Sequence, residues 1–324
     1  MAKPPRNPAS GILFVDKPQG ITSHGVVSRA RKSVGTRKIG HAGTLDPMAT
    51  GLLVLGANNP TRLLTYLVGL DKQYTATIRL GASSNTDDAE GELSEPADAA
   101  ALAAISDDDI ARAVSNLTGA ISQRPSSVSA IKVDGKRAYA LARAGEEVVL
   151  AERTVTVSVF EVLEIARDEY IDLKVRVDCS SGTYIRALAR DLGEALSVGG
   201  HLTVLRRTRV GPFSVDDASA LDSDLETQLV APATVARELF ETVALDAQQS
   251  EDLANGKRIA LEPRASLPVA ALAPDGRLQG LIEIVDGRAR VLSNFPRDPQ
   301  PVDPQEQAAA QGEPVSEEGT PNNG

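Results

Sequence analysis

The chain has 324 residues, 42% of them hydrophobic, which is enough to bury one full core and leave material for a second, smaller domain. Its net charge of −10 argues against a protein that is basic throughout, and its single cysteine, Cys179, excludes an internal disulfide. No apolar run reaches the roughly 18 residues of a membrane span, and the opening MAKPPRNPAS lacks a signal-peptide stretch, so we expect a cytoplasmic protein without membrane contact. His24, His41 and His201 lie far apart without ligand spacing, so no metal site is expected.

Positive charge is concentrated at the start of the chain. Residues 1–80 contain eleven Lys and Arg residues against three Asp and Glu, whereas residues 81–119 contain nine acidic residues against Arg112 alone. Residues 297–324 contain six acidic residues against Arg297. Because salt screens charges over about 10 Å, a basic face can attract RNA phosphates on a protein that is acidic overall. An ordinary solvated surface shows charge runs too, so charge alone does not identify an RNA partner.

The first predicted elements are a strand, a helix and a loop. Gly11–Lys17 has the composition of a buried strand, and Thr22 or Ser23 caps a helix that runs to about Val34. The segment Arg37–Pro47 contains two glycines and a proline and is predicted to be a loop. This loop therefore lies between rigid elements.

Four further elements are predicted before residue 120. They are a strand at Leu52–Ala57, a helix from the Asn59-Pro60 cap to near Gly69, a strand at Lys72–Leu80, and a helix that starts at Ser106. In the last of these, Asp109 completes a capping box with Ser106, and the acidic first turn suits the positive end of a helix.

The pattern changes after this helix. Residues 121–149 are polar and basic and too long for a plain connection, so we expect a protruding element that touches substrate. Beyond it the sequence predicts strands at Thr154–Ile165 and Tyr170–Cys179, a helix within Ser181–Arg190, and a strand at Leu202–Val210. From about Val243, short β runs separated by turns indicate a small β-rich domain that ends near Phe295. Residues 297–324 have almost nothing to bury and are predicted to be disordered.

One segment of the predicted loop carries a candidate nucleophile. In GHAGTLDP, residues 40–47, Asp46 is presented between rigid elements on a glycine-containing loop, where a carboxylate can attack a substrate. An isolated Leu-Asp-Pro is more often a helix cap or the start of a turn. Further motifs are needed to decide between the two interpretations.

Those motifs are present, in order, over most of the chain. GHAGTLDP followed by MATGLLVLG resembles the central motif of the TruB family of pseudouridine synthases. The resemblance extends from about Gly11 to Phe213. The segments that carry it are FVDKPQGITS (14–23), DKQYTATIRLG (71–81), NTDDAEG (85–91), PSSVSAIKVDGKRAY (125–139), CSSGTYIRALARDLG (179–193) and LRRTRVGPF (205–213).

The resemblance implies an α+β fold and a domain organisation. A mixed, mainly antiparallel central sheet flanked by helices would form the catalytic domain at 11–235, with an RNA-contacting protrusion at about 121–150. Residues 243–296 would form a small β-rich, PUA-like domain with a modest share in RNA binding. Residues 1–10 would be a flexible N-terminus, and 297–324 an acidic disordered tail.

The resemblance also assigns roles to three residues at the reacting base. Asp46 would attack the uridine or its ribose. Tyr74 would stack on the extruded base, although a strand tyrosine is by default part of the core. Arg186 would form an ion pair that keeps Asp46 charged and in position, whereas a lone helix arginine is usually solvated.

Four more residues receive roles from the same resemblance. Tyr184 would lie near the ribose and is a candidate for moving a proton off the sugar. Leu205 would close the apolar side of the uracil pocket, and His41 would wedge into the space that the uridine leaves. Asp88 would support Arg186 or its neighbours. The ordinary alternatives are core packing for Leu205 and a structural hydrogen bond for His41.

The implied substrate is the T-stem-loop of tRNA, in which the enzyme would isomerise the uridine at position 55. The isomerisation needs neither oxidation nor hydrolysis, so the resemblance implies no cofactor, and we expect a monomer without an obligatory protein partner. Base extrusion requires a grip on the surrounding RNA backbone. The cations assigned to the phosphates are Lys32, Arg37, Lys38, Lys132, Lys136 and Arg137.

Three other functions are compatible with parts of this sequence. A non-catalytic tRNA-folding chaperone or RNA-binding module could use the same scaffold, but it would not need the set Asp46, Tyr74, Tyr184 and Arg186. The catalytic subunit of a guide-RNA ribonucleoprotein would be expected to carry basic tails, whereas this chain ends in acidic residues. An aspartate-nucleophile hydrolase would need a second carboxylate as its acid or base, and no motif of this sequence supplies one.

Overall fold

The computed structural model describes residues 10–126, 132–133, 136–137, 150–264 and 267–296. Most of the predicted N-terminal segment, most of the predicted protrusion and all but the start of the region after Phe295 lie outside these residues. The strands are β1 Gly11–Lys17, β2 Ile39–His41, β3 Thr50–Ala57, β4 Lys72–Leu80, β5 Gly119–Gln123, β6 Lys132–Val133, β7 Lys136–Arg137, β8 Arg153–Arg167, β9 Ile171–Cys179, β10 Gly200–Val210, β11 Phe213–Ser214, β12 Ser219–Ala220, β13 Thr242–Ala244, β14 Ile259–Ala260, β15 Val269–Leu272, β16 Leu278–Val285 and β17 Arg288–Asn294.

The helices of the described residues flank these strands. They are α1 Ser23–Val34, α2 Leu64–Gly69, α3 Ala99–Ala104, α4 Asp107–Asn116, α5 Ile185–Ala195, α6 Pro232–Leu239 and α7 Ala247–Ala254, with 3-10 helices at Asn59–Arg62 and Val215–Asp217. None of the helices in this part of the chain has the length and apolar character that crossing a membrane requires.

The central sheet has the strand order β12-β1-β3-β10-β4-β9-β8-β5, with β2 on β3 and β11 on β10. The β1–β12 and β3–β10 pairs are parallel, and the other pairs are antiparallel. A smaller sheet has the order β13-β15-β16-β17-β14. The predicted α+β fold, with a mixed, mainly antiparallel central sheet, flanking helices and a small C-terminal β-rich part, is therefore confirmed.

Both faces of the central sheet are buried near β1 and β3. Leu13 and Val15 enter the cluster that includes residues of α1, α4 and α5, whereas Ile12 and Phe14 enter a second cluster on the opposite face. Successive strand residues point to opposite faces, so a strand covered on both sides is continuously apolar. This explains why GILFVDK contains no polar residue until Asp16.

The second cluster joins the two sheets. Ile12 and Phe14 of the central sheet belong to the same apolar cluster as Ala270, Leu278 and Leu281 of the smaller sheet. The linking helix α6 contacts β1 on one side and β15 and β16 on the other. The smaller sheet is therefore joined to the central one through this cluster and α6.

Two local predictions are corrected by the structure. Arg37–Pro47 is not all loop, because Ile39–His41 forms β2 and pairs antiparallel with β3. Ile39 is buried there, and its burial favours the extended conformation over an exposed turn. Asn59 does not cap an α-helix either. It is the first residue of a 3-10 helix, whose N-cap position is held by Asn58 without a side-chain capping bond. The α-helix begins only at Leu64.

Candidate active site

A pocket of about 250 Å³ opens where β4, β10 and the start of α5 meet the segment between β2 and β3. Five of the residues singled out from the sequence line it: Asp46, Tyr74, Tyr184, Arg186 and Leu205. They come from four separate stretches of sequence, which the sheet order brings together because β4 and β10 are neighbours. Among the described side chains that the sequence singled out, His41, Asp88, Lys32, Arg37 and Lys38 do not line this pocket.

The segment that carries Asp46 is attached to the β1–α1 connection on both sides of the carboxylate. Ser23 Oγ donates to the carbonyl of Leu45 (2.9 Å) and accepts from the Leu45 N–H (2.8 Å). On the other side, the Gly20 N–H donates to the Pro47 carbonyl at 2.8 Å. These contacts fix the main chain next to Asp46 without using its side chain.

Lys17 reinforces this attachment from inside the protein. Its Nζ donates to the carbonyls of Ile21 (2.7 Å), Pro18 (3.0 Å) and Pro47 (3.2 Å), and the side chain is fully buried. Burial lowers the pKa of Lys17 to about 8, against the raising effect of nearby Asp46. The lysine thus joins the end of β1 to the segment after the candidate nucleophile.

Arg207 holds the segment from the opposite side. Its guanidinium donates to the carbonyls of Leu52 (2.7 Å), Gly43 (3.1 Å) and Thr44 (3.4 Å), and the residue is 1% exposed. β10 lies so close to β3 here that a Cβ on Gly51 would lie 2.2 Å from the Arg207 carbonyl oxygen, and Gly51 has φ +101°. Only glycine fits both the conformation and the space.

Replacing Arg207 with Met is expected to lower the free energy of unfolding by about 2–4 kcal/mol, because the change removes three hydrogen bonds of a buried guanidinium, one of them to the buried Leu52 carbonyl. The rate of the expected isomerisation should fall as well, because Arg207 holds the carbonyls of Gly43 and Thr44, which precede Asp46 by three and two residues. Urea denaturation measures the first effect. The control is Arg206→Met, which removes a half-exposed pair with Asp16 and should cost at most about 1 kcal/mol. Equal losses in the two variants would contradict the role assigned to Arg207.

Arg186 lies between two carboxylates. Its Nε is 3.0 Å from Asp46 Oδ2, and its Nη1 is 3.3 Å from Asp88 Oδ2 and donates to the Thr86 carbonyl at 2.8 Å. The side chains of Arg186 and Asp88 are each 5% exposed, whereas that of Asp46 is 37% exposed. The buried arginine and its inner aspartate therefore support an outer carboxylate that faces the pocket.

Asp88 is held by donors other than Arg186. Its Oδ1 accepts from Thr86 Oγ1 at 2.7 Å and from the Glu90 N–H at 3.0 Å. A buried carboxylate needs such partners because it has left water. Glu90, which is exposed, has a pKa raised by partial burial and by the charges of Asp88 and Asp46.

Tyr74 and Leu205 form the walls of the pocket on β4 and β10. Tyr74 pairs with Arg207 in the β4–β10 register, and Leu205 pairs with Ala76. Tyr74 is 9% exposed and Leu205 6%. Burial raises the pKa of the Tyr74 phenol, so the ring is neutral over the physiological range. The pair presents one aromatic and one aliphatic surface to the space beside Asp46.

Tyr184 lies immediately before α5 and is fixed through its main chain. The side-chain amide of buried Gln123 accepts from the Tyr184 N–H at 2.8 Å and donates to the Tyr184 carbonyl at 3.0 Å. The Arg153 guanidinium carbon lies 5.9 Å from the centre of the Tyr184 ring. The end of β5 thus determines where this phenol enters the pocket.

His41 lies on β2, two residues before Gly43, and its ring meets that of His24 edge-to-face with centroids 5.6 Å apart. Burial, followed by the neighbouring charges of His24 and Arg207, lowers the pKa of His41, so the imidazole is neutral at pH 7.

Of the cations predicted to bind phosphates, Lys32, Arg37 and Lys38 are exposed at and after the end of α1. Lys132, Lys136 and Arg137 lie in β6 and β7, and their side chains lie outside the described residues.

The sequence predicted no role at the site for four residues, Lys17, Ser23, Gln123 and Arg207, although Ser23 was one of the two candidate caps of α1. All four are polar and buried. The sequence did hold a signal for Arg207. It lies two residues after Leu205, and alternate residues of a strand point to the same face, so Arg207 shares the inward-facing side of β10 with Leu205. No sequence pattern indicated that Gln123 would reach the main chain of Tyr184, which lies 61 residues away.

Three family models match the chain in succession. Residues 31–185 match the model described as TruB family pseudouridylate synthase (N terminal domain). Residues 186–246 match the tRNA pseudouridylate synthase B C-terminal domain, and residues 240–296 match tRNA Pseudouridine synthase II, C terminal. The matches include every residue that lines the pocket.

Curated relatives are similar over nearly their whole length. The tRNA pseudouridine synthase B of Leifsonia xyli subsp. xyli is 60% identical over 295 residues, covering 89% of this chain and 97% of the relative. The protein of the same name from Paenarthrobacter aurescens is 55% identical, covering 84% of this chain and 91% of the relative.

Solved structures share the fold at lower identity. One, described as the structure of H/ACA RNP bound to a substrate RNA containing 2'-deoxyuridine, superimposes with a TM-score of 0.65 at 24% identity and covers 89% of this chain and 86% of the other. A Cbf5-Nop10-Gar1 complex gives a TM-score of 0.64 at 25% identity, covering 89% and 84%.

Proposed function

The chain belongs to the TruB family of pseudouridylate synthases and is an isomerase that modifies tRNA, and we propose that its target is the T-loop uridine at position 55, attacked by Asp46. The observation that carries this proposal is the ion pair between Asp46 and buried Arg186 at the floor of a pocket walled by Tyr74 and Leu205. A chaperone that only folds RNA would not require an arginine buried beneath a pocket carboxylate.

The chemistry of isomerisation matches these groups. The N1–C1′ bond breaks, the base turns, C5 bonds to C1′, and the C5 proton leaves while N1 gains one. Asp46 supplies the nucleophile that makes or assists a covalent intermediate, with attack at C1′ or at C6. Arg186 holds that carboxylate toward the reacting base, and Tyr184 lies beside it as the candidate to move a proton off the sugar.

The pocket holds the base while it is detached. A uracil fragment released to water would be lost, so it must be retained by contacts on its faces. Tyr74 offers an aromatic face for stacking, which offsets part of the cost of extruding the base from the RNA. Leu205 closes the apolar side of the uracil pocket, and His41 takes the position that the base leaves in the T-loop stack.

We assign the binding of the RNA backbone to six basic residues. Lys32, Arg37 and Lys38 are exposed, and they would contact phosphates together with Lys132, Lys136 and Arg137. We assign catalysis to residues 11–235, RNA contacts to the protrusion at about 121–150, and a modest share in tRNA binding to residues 243–296. The protein acts as a cytoplasmic monomer without an obligatory protein partner.

The test is to map pseudouridine in a tRNA transcript treated with the protein, by carbodiimide modification and primer extension. A stop that depends on the protein at the T-loop uridine is the expected result. A second transcript with cytidine at that position is the matched substrate control and should give no stop. Stops elsewhere, with none in the T-loop, would refute the proposed target while leaving the family's chemistry intact.

Replacing Tyr74 with Leu should reduce the single-turnover rate by about 10²-fold or more while changing the affinity for tRNA by less than about threefold. Leucine keeps the wall apolar but removes the ring that stacks on the base. The measurements are tritium release from C5-labelled uridine and filter binding. Tyr66→Leu is the matched control, because Tyr66 packs against Phe240 away from the pocket. An unchanged rate would show that Tyr74 is ordinary core.

A further inference from the structure

A second arginine of α5 contacts the same acidic segment as Arg186. Arg190 follows Arg186 by four residues, so the two side chains leave one face of the helix. Arg190 Nη1 lies 3.2 Å from Asp87 Oδ2, and the next residue, Asp88, pairs with Arg186 at 3.3 Å. Two adjacent aspartates are thus bound by two arginines one helical turn apart. We call residues 84–90 the acidic loop.

The acidic loop determines where Arg186 can point, because both Asp88 and the Thr86 carbonyl contact its guanidinium. The loop is attached to β10, where the Leu202 N–H donates to the Asp87 carbonyl (3.0 Å) and the Leu202 carbonyl accepts from Ala89 N–H (2.8 Å). Asp87 adopts φ +60° between these contacts, in the left-handed region where few non-glycine residues lie. Aspartate enters this region more readily than most residues, and contacts with neighbouring segments hold it there.

Arg190 supplies such a contact and connects three parts of the chain. Besides Asp87, its Nη2 donates to the Arg124 carbonyl (2.8 Å), just after β5, and to Asp191 Oδ1 (2.7 Å). The Arg190 side chain is 21% exposed and that of Asp87 11%. A charge pair this well shielded keeps more of its strength than a surface pair. Arg190 itself does not line the pocket.

We propose that Arg190 is a positioning residue for the isomerisation: by fixing Asp87, it holds the acidic loop where Asp88 and Thr86 orient Arg186 toward Asp46. This inference rests on the proposed function. Arg190 does not contact Asp46 and does not line the pocket. Its effect reaches the nucleophile through three contacts in turn: Arg190 with Asp87, the neighbouring Asp88 with Arg186, and Arg186 with Asp46.

The test compares the single-turnover rate, the tRNA affinity and the thermal midpoint of Arg190→Met with those of the parent protein. The rate should fall by about 10- to 100-fold, as expected when a catalytic group is slightly misplaced, while the affinity changes by less than about twofold. Arg190→Lys, which keeps the charge but not the planar fork, should give an intermediate rate. The control is Arg112→Met, which removes an exposed pair with Asp109 on α4 and should leave the rate unchanged.

A double-mutant cycle tests the route through Asp87. If Arg190 acts through Asp87, Asp87→Asn should lower the rate similarly, and the double variant should be no slower than the slower single variant. Additive losses would overturn the proposed route. A fall in thermal midpoint with an unchanged rate for the folded fraction would show a purely structural role and would overturn the proposal.

A spectroscopic readout separates this inference from the proposed function. The NMR signal of the Arg186 Nε–H, assigned by its loss in Arg186→Lys, should shift in Arg190→Met and stay in place in Arg112→Met. If the parent protein does not modify the T-loop, the proposed function fails, yet the shift still reports on positioning. If the parent is active and neither signal nor rate changes in Arg190→Met, the inference itself is wrong.

Discussion

Replacing Asp46 with Asn is expected to lower the rate of pseudouridine formation by more than about 10⁴-fold, as for other enzymes that lose their nucleophile. Asparagine occupies nearly the same volume and can still accept a hydrogen bond from Arg186 Nε, so the segment held by Ser23 and Lys17 should not move. Tritium release from C5-labelled uridine in a tRNA transcript measures the rate, and filter binding should show affinity within severalfold of the parent protein.

Asp172→Asn is a matched control for this variant. Asp172 also pairs with an arginine, Arg79, at 2.6 Å, and its side chain is 30% exposed against 37% for Asp46. It lies outside the pocket lining, so its replacement should leave the rate within about twofold, since an exposed pair contributes at most about 1 kcal/mol to stability. Turnover retained by Asp46→Asn would contradict the assignment of Asp46 as nucleophile.

Replacing Arg186 with Met is expected to damage both stability and activity. The change leaves the Asp88 carboxylate, whose side chain is 5% exposed, without its cationic partner, and breaking a buried ion pair from one side costs about 3–5 kcal/mol. The rate should fall by about 10³-fold or more, because Asp46 loses the group that orients it. Urea denaturation and single-turnover assays measure the two effects on the same sample.

The double variant Arg186→Met, Asp88→Asn separates these two effects. Removing the buried negative charge should restore much of the lost stability, since the amide oxygen of the new asparagine can still accept from Thr86 Oγ1 and the Glu90 N–H, as the Asp88 carboxylate does. Activity should stay low, because Asp46 still lacks its partner. Recovery of activity along with stability would mean that Arg186 matters for folding and not for the reaction.

The parts of the fold that the sequence could predict are those with a strong local pattern. Lys72–Leu80 alternates inward and outward residues along its whole length and forms β4 with the predicted bounds. The capping box at Ser106 and Asp109 is present as predicted. A three-residue strand such as Ile39–His41 is too short to show the alternation of inward and outward residues that identifies a strand. It forms because β3 offers it an edge to pair with.

The residues of the site also fall into those that a sequence pattern could predict and those that it could not. Motif resemblance selected Asp46, Tyr74, Tyr184, Arg186 and Leu205, and the structure places all five around one pocket. The residues that hold them, such as Arg207 and Gln123, act through main-chain carbonyls and N–H groups of distant segments. Main-chain acceptors have no sequence signature, because every residue has one. Such partners become visible only when the strands have been placed.

The attachment of the Leu45–Pro47 segment by Ser23, Lys17 and the Gly20 N–H has a consequence for the energy of catalysis. These contacts are all made within the protein, so the carboxylate needs little rearrangement when RNA arrives. The reorganisation that a nucleophile in water must undergo has already taken place during folding. Binding energy from the RNA is therefore left for extruding the base, the one costly movement that the substrate itself must make.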